Sequence, residues 1–133
     1  MISEKALQYI GTPFLHQARV PGHGLDCVGV FVCAARECGI NIEDFTTYGR
    51  DSDPVTLLSR FQRDFIQIDT KDRTKDDVLL FWIIDKQLPQ HIGILIDPEN
   101  FVHAYGNEFR GKVRKESVKP RWEKKIHSIW RLK

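Results

Sequence analysis

Apolar side chains return at every third or fourth position in some stretches of this chain and run unbroken or alternate in others, a change of period that separates helices from strands. The first helical stretch is Glu4 to Ile10, with Ser3 as its cap and Gly11 and Pro13 as its stop. The second begins after Asp26, a favoured N-cap, and places Cys27, Val30, Phe31, Ala34, Ala35 and Cys38 at helical spacing before Gly39 ends it. A third, Pro54 to Asp64, carries proline in its first turn and apolar residues at 57, 58 and 61. Residues 40–53 read as a connecting loop, rich in turn formers.

Strands dominate the rest. Phe65 to Asp69 reads as a short strand, Thr70 to Asp77 as a charged turn, and the continuously apolar Val78 to Ile84 as an interior strand with Trp82 in the core. The runs His91-Ile92-Gly93-Ile94-Leu95-Ile96 and Phe101-Val102-His103-Ala104-Tyr105 flank a Pro/Asn-rich gap and predict a hairpin. If Asp97 to Glu99 form a three-residue loop, Ile96 faces Asn100 and His103 lies opposite Gly93. His91 and His103 then share a face at a diagonal separation of roughly 7–8 Å. A four-residue loop puts them on opposite faces. The first register is preferred because it gives Gly93 a reason to lack a side chain. Ser117 to Lys125 reads as a short helix, against which Pro120 argues, and Ile126 to Leu132 as the strand that closes the sheet. Residues 1–133 are thus expected to form one α+β domain, with N-terminal helices packed on a central antiparallel sheet and the helix bearing Cys27 lying against the histidine face.

Cys27 stands where a glycine-rich turn gives way to the second helix. A thiol in the first turn of a helix meets the positive end of the dipole and several unpaired N–H groups, which favour the thiolate. Cys33 and Cys38, deeper in the apolar stripe, read as small core hydrophobes. A nucleophilic thiol needs a base, and His91 with His103 on one face supply a base and a group to orient it. Backbone N–H groups near Asp26 and Cys27 are the expected oxyanion donors. His23, in a Gly-flanked turn close to Cys27, suits substrate contact, and His127 reads as exposed or structural.

In order along the chain, Gly11-Thr12-Pro13-Phe14, His16-Gln17, Gly22-x-Gly-Leu-Asp-Cys-Val-Gly, Asp77-Val78-Leu79-Leu80-Phe81, His91-Ile92-Gly93-Ile94 and Phe101-Val102-His103-Ala104 resemble the NlpC-type family of papain-like cell-wall cysteine peptidases. The resemblance covers residues 3–132, and the Gly-Thr-Pro-aromatic and His-Gln elements are most similar to its short phage and prophage branch. It implies a papain-like fold, with Cys27 as nucleophile, His91 as general base and His103 as the orienter of the base. It also implies a tyrosine hydroxyl near the thiol where this chain has Phe14, a place His16 is positioned to fill, and a glycine where it has Asp76. The implied substrate is a peptidoglycan stem peptide, cut between D-glutamate and a diamino acid.

Composition sets the outer bounds. At 133 residues the chain is large enough to bury about two-thirds of its unfolded surface in one core. Three cysteines without a CxxC pair argue against a disulfide framework or a zinc site, and neither metal nor cofactor is expected. The start, Met1-Ile2-Ser3-Glu4-Lys5, lacks the pattern of a secretory signal and no run spans a membrane, so the expected route is synthesis in the cytoplasm and action at the wall from a phage tail, among tail proteins, or after lysis. Net charge is +2, yet residues 110–125 hold eight basic against two acidic side chains, a solvated face or one drawn to anionic cell wall. No stacking-aromatic ladder accompanies it, so no nucleic-acid partner is expected. The Phe14 departure makes a non-catalytic tail component conceivable, against which intact Cys27, His91 and His103 argue; a thiol acyltransferase or amidase acting on another substrate would be served equally well by the same three residues.

Overall fold

The computed structural model describes residues 1–44, 54–107 and 109–133, the side chains of 54–56 excepted. Helix α1 (Ile2–Leu7) leads into two short paired strands, β1 (Arg19–Val20) and β2 (Gly24–Leu25), and then into α2 (Cys27–Glu37) and α3 (Pro54–Asp64). The strands β3 (Phe65–Ile68), β4 (Val78–Trp82), β5 (Pro89–Asp97), β6 (Asn100–Tyr105), β7 (Lys112–Ser117) and β8 (Ile126–Leu132) follow. All six join one antiparallel sheet in the order β3-β8-β4-β5-β6-β7. Of the loop expected over 40–53, residues 45–53 lie outside the described residues, and 41–44 carry no regular element.

The α2 boundaries follow from its ends. Asp26, extended at φ −98°, accepts the Gly29 N–H on its carboxylate at 2.8 Å and so caps the first turn. At the other end Gly39 takes φ +79°, and the Gly39 and Ile40 N–H groups donate to the carbonyls of Arg36 and Ala35, a Schellman closure. Helix α1 starts earlier than its cap-type residue suggested. Ser3 lies inside it, and both its N–H (2.8 Å) and its hydroxyl (2.7 Å) donate to Asp76. Asp76 itself adopts φ +73°, the left-handed region where glycine was expected, and its carboxylate ties α1 to the turn before β4.

The sheet has two differently covered faces. Val78, Leu80, Ile92, Ile94, Val102, Ala104 and Trp130 point to the side where α1, α2 and α3 pack, joining Cys27, Val28 and Phe31 in the larger core. Leu79, Phe81, Leu95, Phe101 and Ile129 point the other way and are covered by Val118 and Trp122 from the segment after β7. His91 and His103 lie on this second face, not on the face toward α2. The parity of the strands decides it: His91 is paired with Phe81, and His103 follows Phe101 by one full period of two.

The hairpin tip is tighter than the three-residue loop expected. Asp97 pairs with Asn100 across a two-residue turn, and an extra residue, Ile96, is taken up before the ladder resumes as Leu95↔Phe101 and Ile94↔Val102. Without that irregularity His103 would be in phase with Ile94 and would face the helices. With it, His103 is in phase with Gly93, the preferred register. A Cβ on Gly93 would meet Phe101 at 2.6 Å and Phe81 at 3.0 Å, so those rings, closing over the strand, are what exclude a side chain there.

Strand β7 was not foreseen, and the helix expected over Ser117 to Lys125 is instead the end of β7, a turn and one 3₁₀ turn (Glu123–Lys125). The strand is an edge, and charged residues are how edges resist further pairing, so its composition hides its conformation. Lys112 and Lys115 are exposed, whereas Val113 is buried and Glu116 is turned inward to His103. Glu123 pairs with the buried Arg73 at 2.7 Å, so both acidic residues of the basic segment are engaged and its exposed charges are positive.

Candidate active site

The approach to Cys27 is built by backbone turns. Phe14 bridges Leu25 in parallel and its N–H donates to the Gly111 carbonyl at 2.8 Å, which fixes the chain two residues before Asp26 gives way to the thiol. Gln17, at φ +59°, turns its N–H onto the Asp26 carboxylate at 2.8 Å, and the Arg19 guanidinium reaches the same carboxylate at 2.9 Å. Gly29 is held so close to this turn that a Cβ would lie 2.5 Å from the Ala18 carbonyl oxygen. Asp26 is therefore the knot between the entrance loop and the helix. Its carboxylate is committed to that work, and any oxyanion contact at this position falls to backbone. His16, half-buried, stands in the Gln17 turn, and His23, exposed, in the turn between β1 and β2. Both belong to the turns that precede Cys27 in the chain.

The imidazoles are linked to one another. His91 Nε2 and His103 Nδ1 are 2.7 Å apart, and His103 Nε2 bonds the Glu116 carboxylate, whose other oxygen accepts from the Trp122 indole N–H at 3.4 Å. Phe81 stacks on His91, Tyr105 on His103, and Trp122 meets both rings, so the pair sits in an aromatic enclosure. His91 is 5% and His103 1% exposed. Burial, together with the neighbouring His103, pushes the His91 imidazolium well below the usual histidine range; burial lowers His103 too, against the opposing pull of Glu116. Both rings are neutral at neutral pH.

Sulfur and imidazole lie on opposite faces of β5, with Cys27 in the helix-side core and His91 in phase with Phe81. Among the described residues the β5–β6 ladder stops at Ile94↔Val102; beyond it β5 stays with β4 and β6 with β7, and the His91–His103 bond spans the seam. Cys27 reaches this seam from the helix side, where the N–H groups of Ile92, the residue after His91, and of Val28 act on its sulfur. Among the described residues no hydrogen bond joins Cys27 to His91, whose Nε2 is bonded to His103.

The expected ready-made thiolate is not what this environment makes. Burial and then the Asp26 carboxylate push the Cys27 thiol up to about 12, outweighing the opposing pull of the Ile92 and Val28 N–H groups and of Arg19. A raised pKa leaves less thiolate at every pH below it. Alkylation of Cys27 in the substrate-free protein should therefore reach half its maximal rate above the ordinary thiol range near ~8.5, followed residue by residue by mass mapping across pH. A midpoint below pH 7 would instead mean a preformed ion pair.

Cys33, whose thiol donates to the Arg19 carbonyl at 3.4 Å, and Cys38, which caps α2, lie away from the histidines. His127 is partly buried and bonds the Ser128 hydroxyl at 2.8 Å. Trp82, half-buried, donates to the Lys124 carbonyl under the Lys125 ammonium. Sequence reasoning missed Glu116 because the strand that carries it was missed; a single apolar residue, Val113, among charged neighbours was the available signal. Among the described residues no cluster of His, Cys, Asp or Glu is placed to hold a metal ion, and no helix is long and apolar enough to cross a membrane.

Residues 11–131 match the family model described as NlpC/P60 family. Among solved structures, the NlpC/p60 domain of the peptidoglycan hydrolase SagA superposes with a TM-score of 0.71 at 20% identity, covering 98% of this chain and 96% of that one. A protein of Staphylococcus aureus described as similar to lipoprotein, NLP/P60 family, gives 0.72 at 17% identity; this chain is covered to 98% but spans 40% of that protein's length. The peptidoglycan hydrolase RipB from Mycobacterium tuberculosis gives 0.65 at 15% identity over 99% of this chain and 63% of its own. At these identities the likeness is one of fold, helices on a six-stranded antiparallel sheet in the papain-like manner. No curated protein sequence matches the chain.

Proposed function

Because this chain belongs to the NlpC/P60 family, we propose that it is a cysteine peptidase that hydrolyses an amide bond in peptidoglycan stem peptides, the bond between D-glutamate and a diamino acid. The observation that carries the reading is the seam: a thiol at the start of α2 beside the strand that bears a paired, neutral imidazole. SagA and RipB are described as peptidoglycan hydrolases, which supports the substrate class.

In this mechanism the Cys27 sulfur attacks the amide carbonyl while its proton passes to His91 Nδ1, the ring nitrogen not bonded to His103. Backbone N–H groups at the start of α2 receive the developing oxyanion. The proton on His91 then goes to the leaving amine, the C–N bond breaks and a thioester remains. Water, losing a proton to His91, attacks the thioester; the sulfur leaves and recovers that proton. With thiol and imidazole both neutral before substrate binds, proton transfer has to accompany attack. Phe14 brings no hydroxyl to the thiol, so the oxyanion rests on backbone donors. The elements before Cys27 support delivery to the wall by a phage tail.

The test is digestion of purified peptidoglycan, with the released fragments identified by mass spectrometry. New carboxyl ends at D-glutamate and new amino ends at the diamino acid are expected. Intact walls after digestion of both direct and indirect cross-link types would overturn the reading.

A further inference from the structure

We propose that Glu116 is a positioning residue that sets the tautomers of both imidazoles and so decides which nitrogen of His91 is bare. The catalytic consequence rests on the hydrolase reading, but the proton placement does not. Donor and acceptor capacity places each proton along one chain of contacts. An ionised carboxylate can only accept, so the contact between Glu116 and His103 Nε2 puts the proton on that nitrogen. A neutral ring carries one N–H, which leaves His103 Nδ1 as an acceptor. His91 Nε2, 2.7 Å away, must then be the donor, and its own single proton is used there. His91 Nδ1 is left with a lone pair. That is the form of imidazole able to take a proton from a thiol, and the opposite tautomer cannot.

The carboxylate is itself held. The Trp122 indole, a donor with no acceptor capacity, gives its N–H to the second Glu116 oxygen at 3.4 Å, and Trp122 is 1% exposed. His103 holds the Glu116 carboxyl below its usual range, which keeps it ionised and accepting at neutral pH. The charged and titratable groups facing His103 are His91 from β5, Glu116 and Arg114 from β7, and Arg121 from the segment after β7. The cations oppose a second proton on the ring. Glutamine at 116 would break the logic, since its amide can donate as well as accept; a donated N–H at His103 Nε2 reverses every bond in the chain and places a proton on His91 Nδ1.

Long-range ¹H–¹⁵N spectra of the full chain with ¹⁵N-labelled histidine read the tautomers without substrate. The wild type is expected to carry Nε2–H at both His91 and His103. Glu116→Gln is expected to convert part or all of both signals to Nδ1–H and to lower kcat roughly 10²–10⁴-fold with KM little changed, by analogy with amide replacement of an imidazole-orienting carboxylate. Glu116→Asp, which still only accepts, should keep the Nε2–H pattern and recover part of the rate. Nδ1–H at His103 in the wild type, or unchanged Nε2–H signals at both rings in Glu116→Gln, overturns the proposal. Because the wild-type spectrum is decisive by itself, a variant that fails to fold does not remove the test. Wild type that turns over no peptidoglycan sinks the hydrolase reading and leaves the tautomers to be judged on their own.

Discussion

Cys27→Ala is expected to end fragment release from peptidoglycan, a loss on the order of 10⁴-fold or more, in a protein that remains folded. The chemistry depends on the sulfur, because in the proposed mechanism it is the atom that attacks the amide, while the His91 and His103 rings, bonded to one another, only take and hold its proton. The fold does not depend on it to the same degree: Cys27 is packed beside Leu25, Val28 and Ile92, and its sulfur is one atom in a core that continues along α2 to Phe31 and Ala35. Truncation to alanine should cost about 1 kcal/mol, the scale of one buried methylene-sized group with its small cavity. Cys27→Ser should be nearly as inactive, since a buried hydroxyl is a far weaker acid than a thiol. Fragment analysis by mass spectrometry reads the first effect and urea unfolding the second; measurable turnover by Cys27→Ala would remove the thiol from the mechanism.

Asp26→Ala carries the second large effect, and this one falls on stability. The carboxylate is 3% exposed and accepts from the N–H groups of Gly29 and Gln17, both at 2.8 Å, and from Arg19 at 2.9 Å. Removing it uncaps α2, strands two backbone donors and takes an anionic partner from a largely buried guanidinium that also pairs with Asp44. A lost cap costs about 1 kcal/mol; a broken buried ion pair costs about 3–5, reduced to about 2 where Asp44 still pairs with Arg19, so the total should come to about 3 kcal/mol. Asp26→Asn keeps a cap-type oxygen and should lose less. It also separates structure from electrostatics, because the Asp26 charge raises the Cys27 thiol and its neutralisation should bring the alkylation midpoint down. Urea titration showing less than about 0.5 kcal/mol for Asp26→Ala would mean that the entrance loop is held by other contacts.

The helices were legible because their ends are written in residue types with few alternatives. Asp26 and Gly39 bracket α2, and Pro54 opens α3 where expected, ending at Asp64 as the apolar spacing required. Strands with a buried core face, β4 through β6 and β8, announced themselves by apolar runs. Legibility failed at β7, where the edge position calls for charges that also suit a loop, and with it failed Glu116. It failed again in the layering. An apolar run buried on both faces does not state which face meets the helices, so the histidines could be placed together on β5 and β6 without revealing that α2 lies behind them. Ser3 misled for a different reason: a hydroxyl that looks like a cap is spent on a carboxylate far along the chain. The contribution of Ile96 was also unreadable, since the same tip sequence closes a hairpin with or without an extra residue absorbed beside it.

The arrival of sulfur and imidazole from opposite sides of one strand bears on how such a catalyst decays over evolutionary time. Cys27 is embedded with the helices, while the histidine pair is embedded with Trp122, Phe81 and Phe101 and is tied into a polar string that ends on an indole. Mutation can silence the first without loosening the second. A descendant that had lost its cysteine would still profit from His91 and His103 as satisfied polar filling under an aromatic roof, and would keep them. On the hydrolase reading, then, paired histidines alone would not mark a working site, and the residue at the head of α2 would.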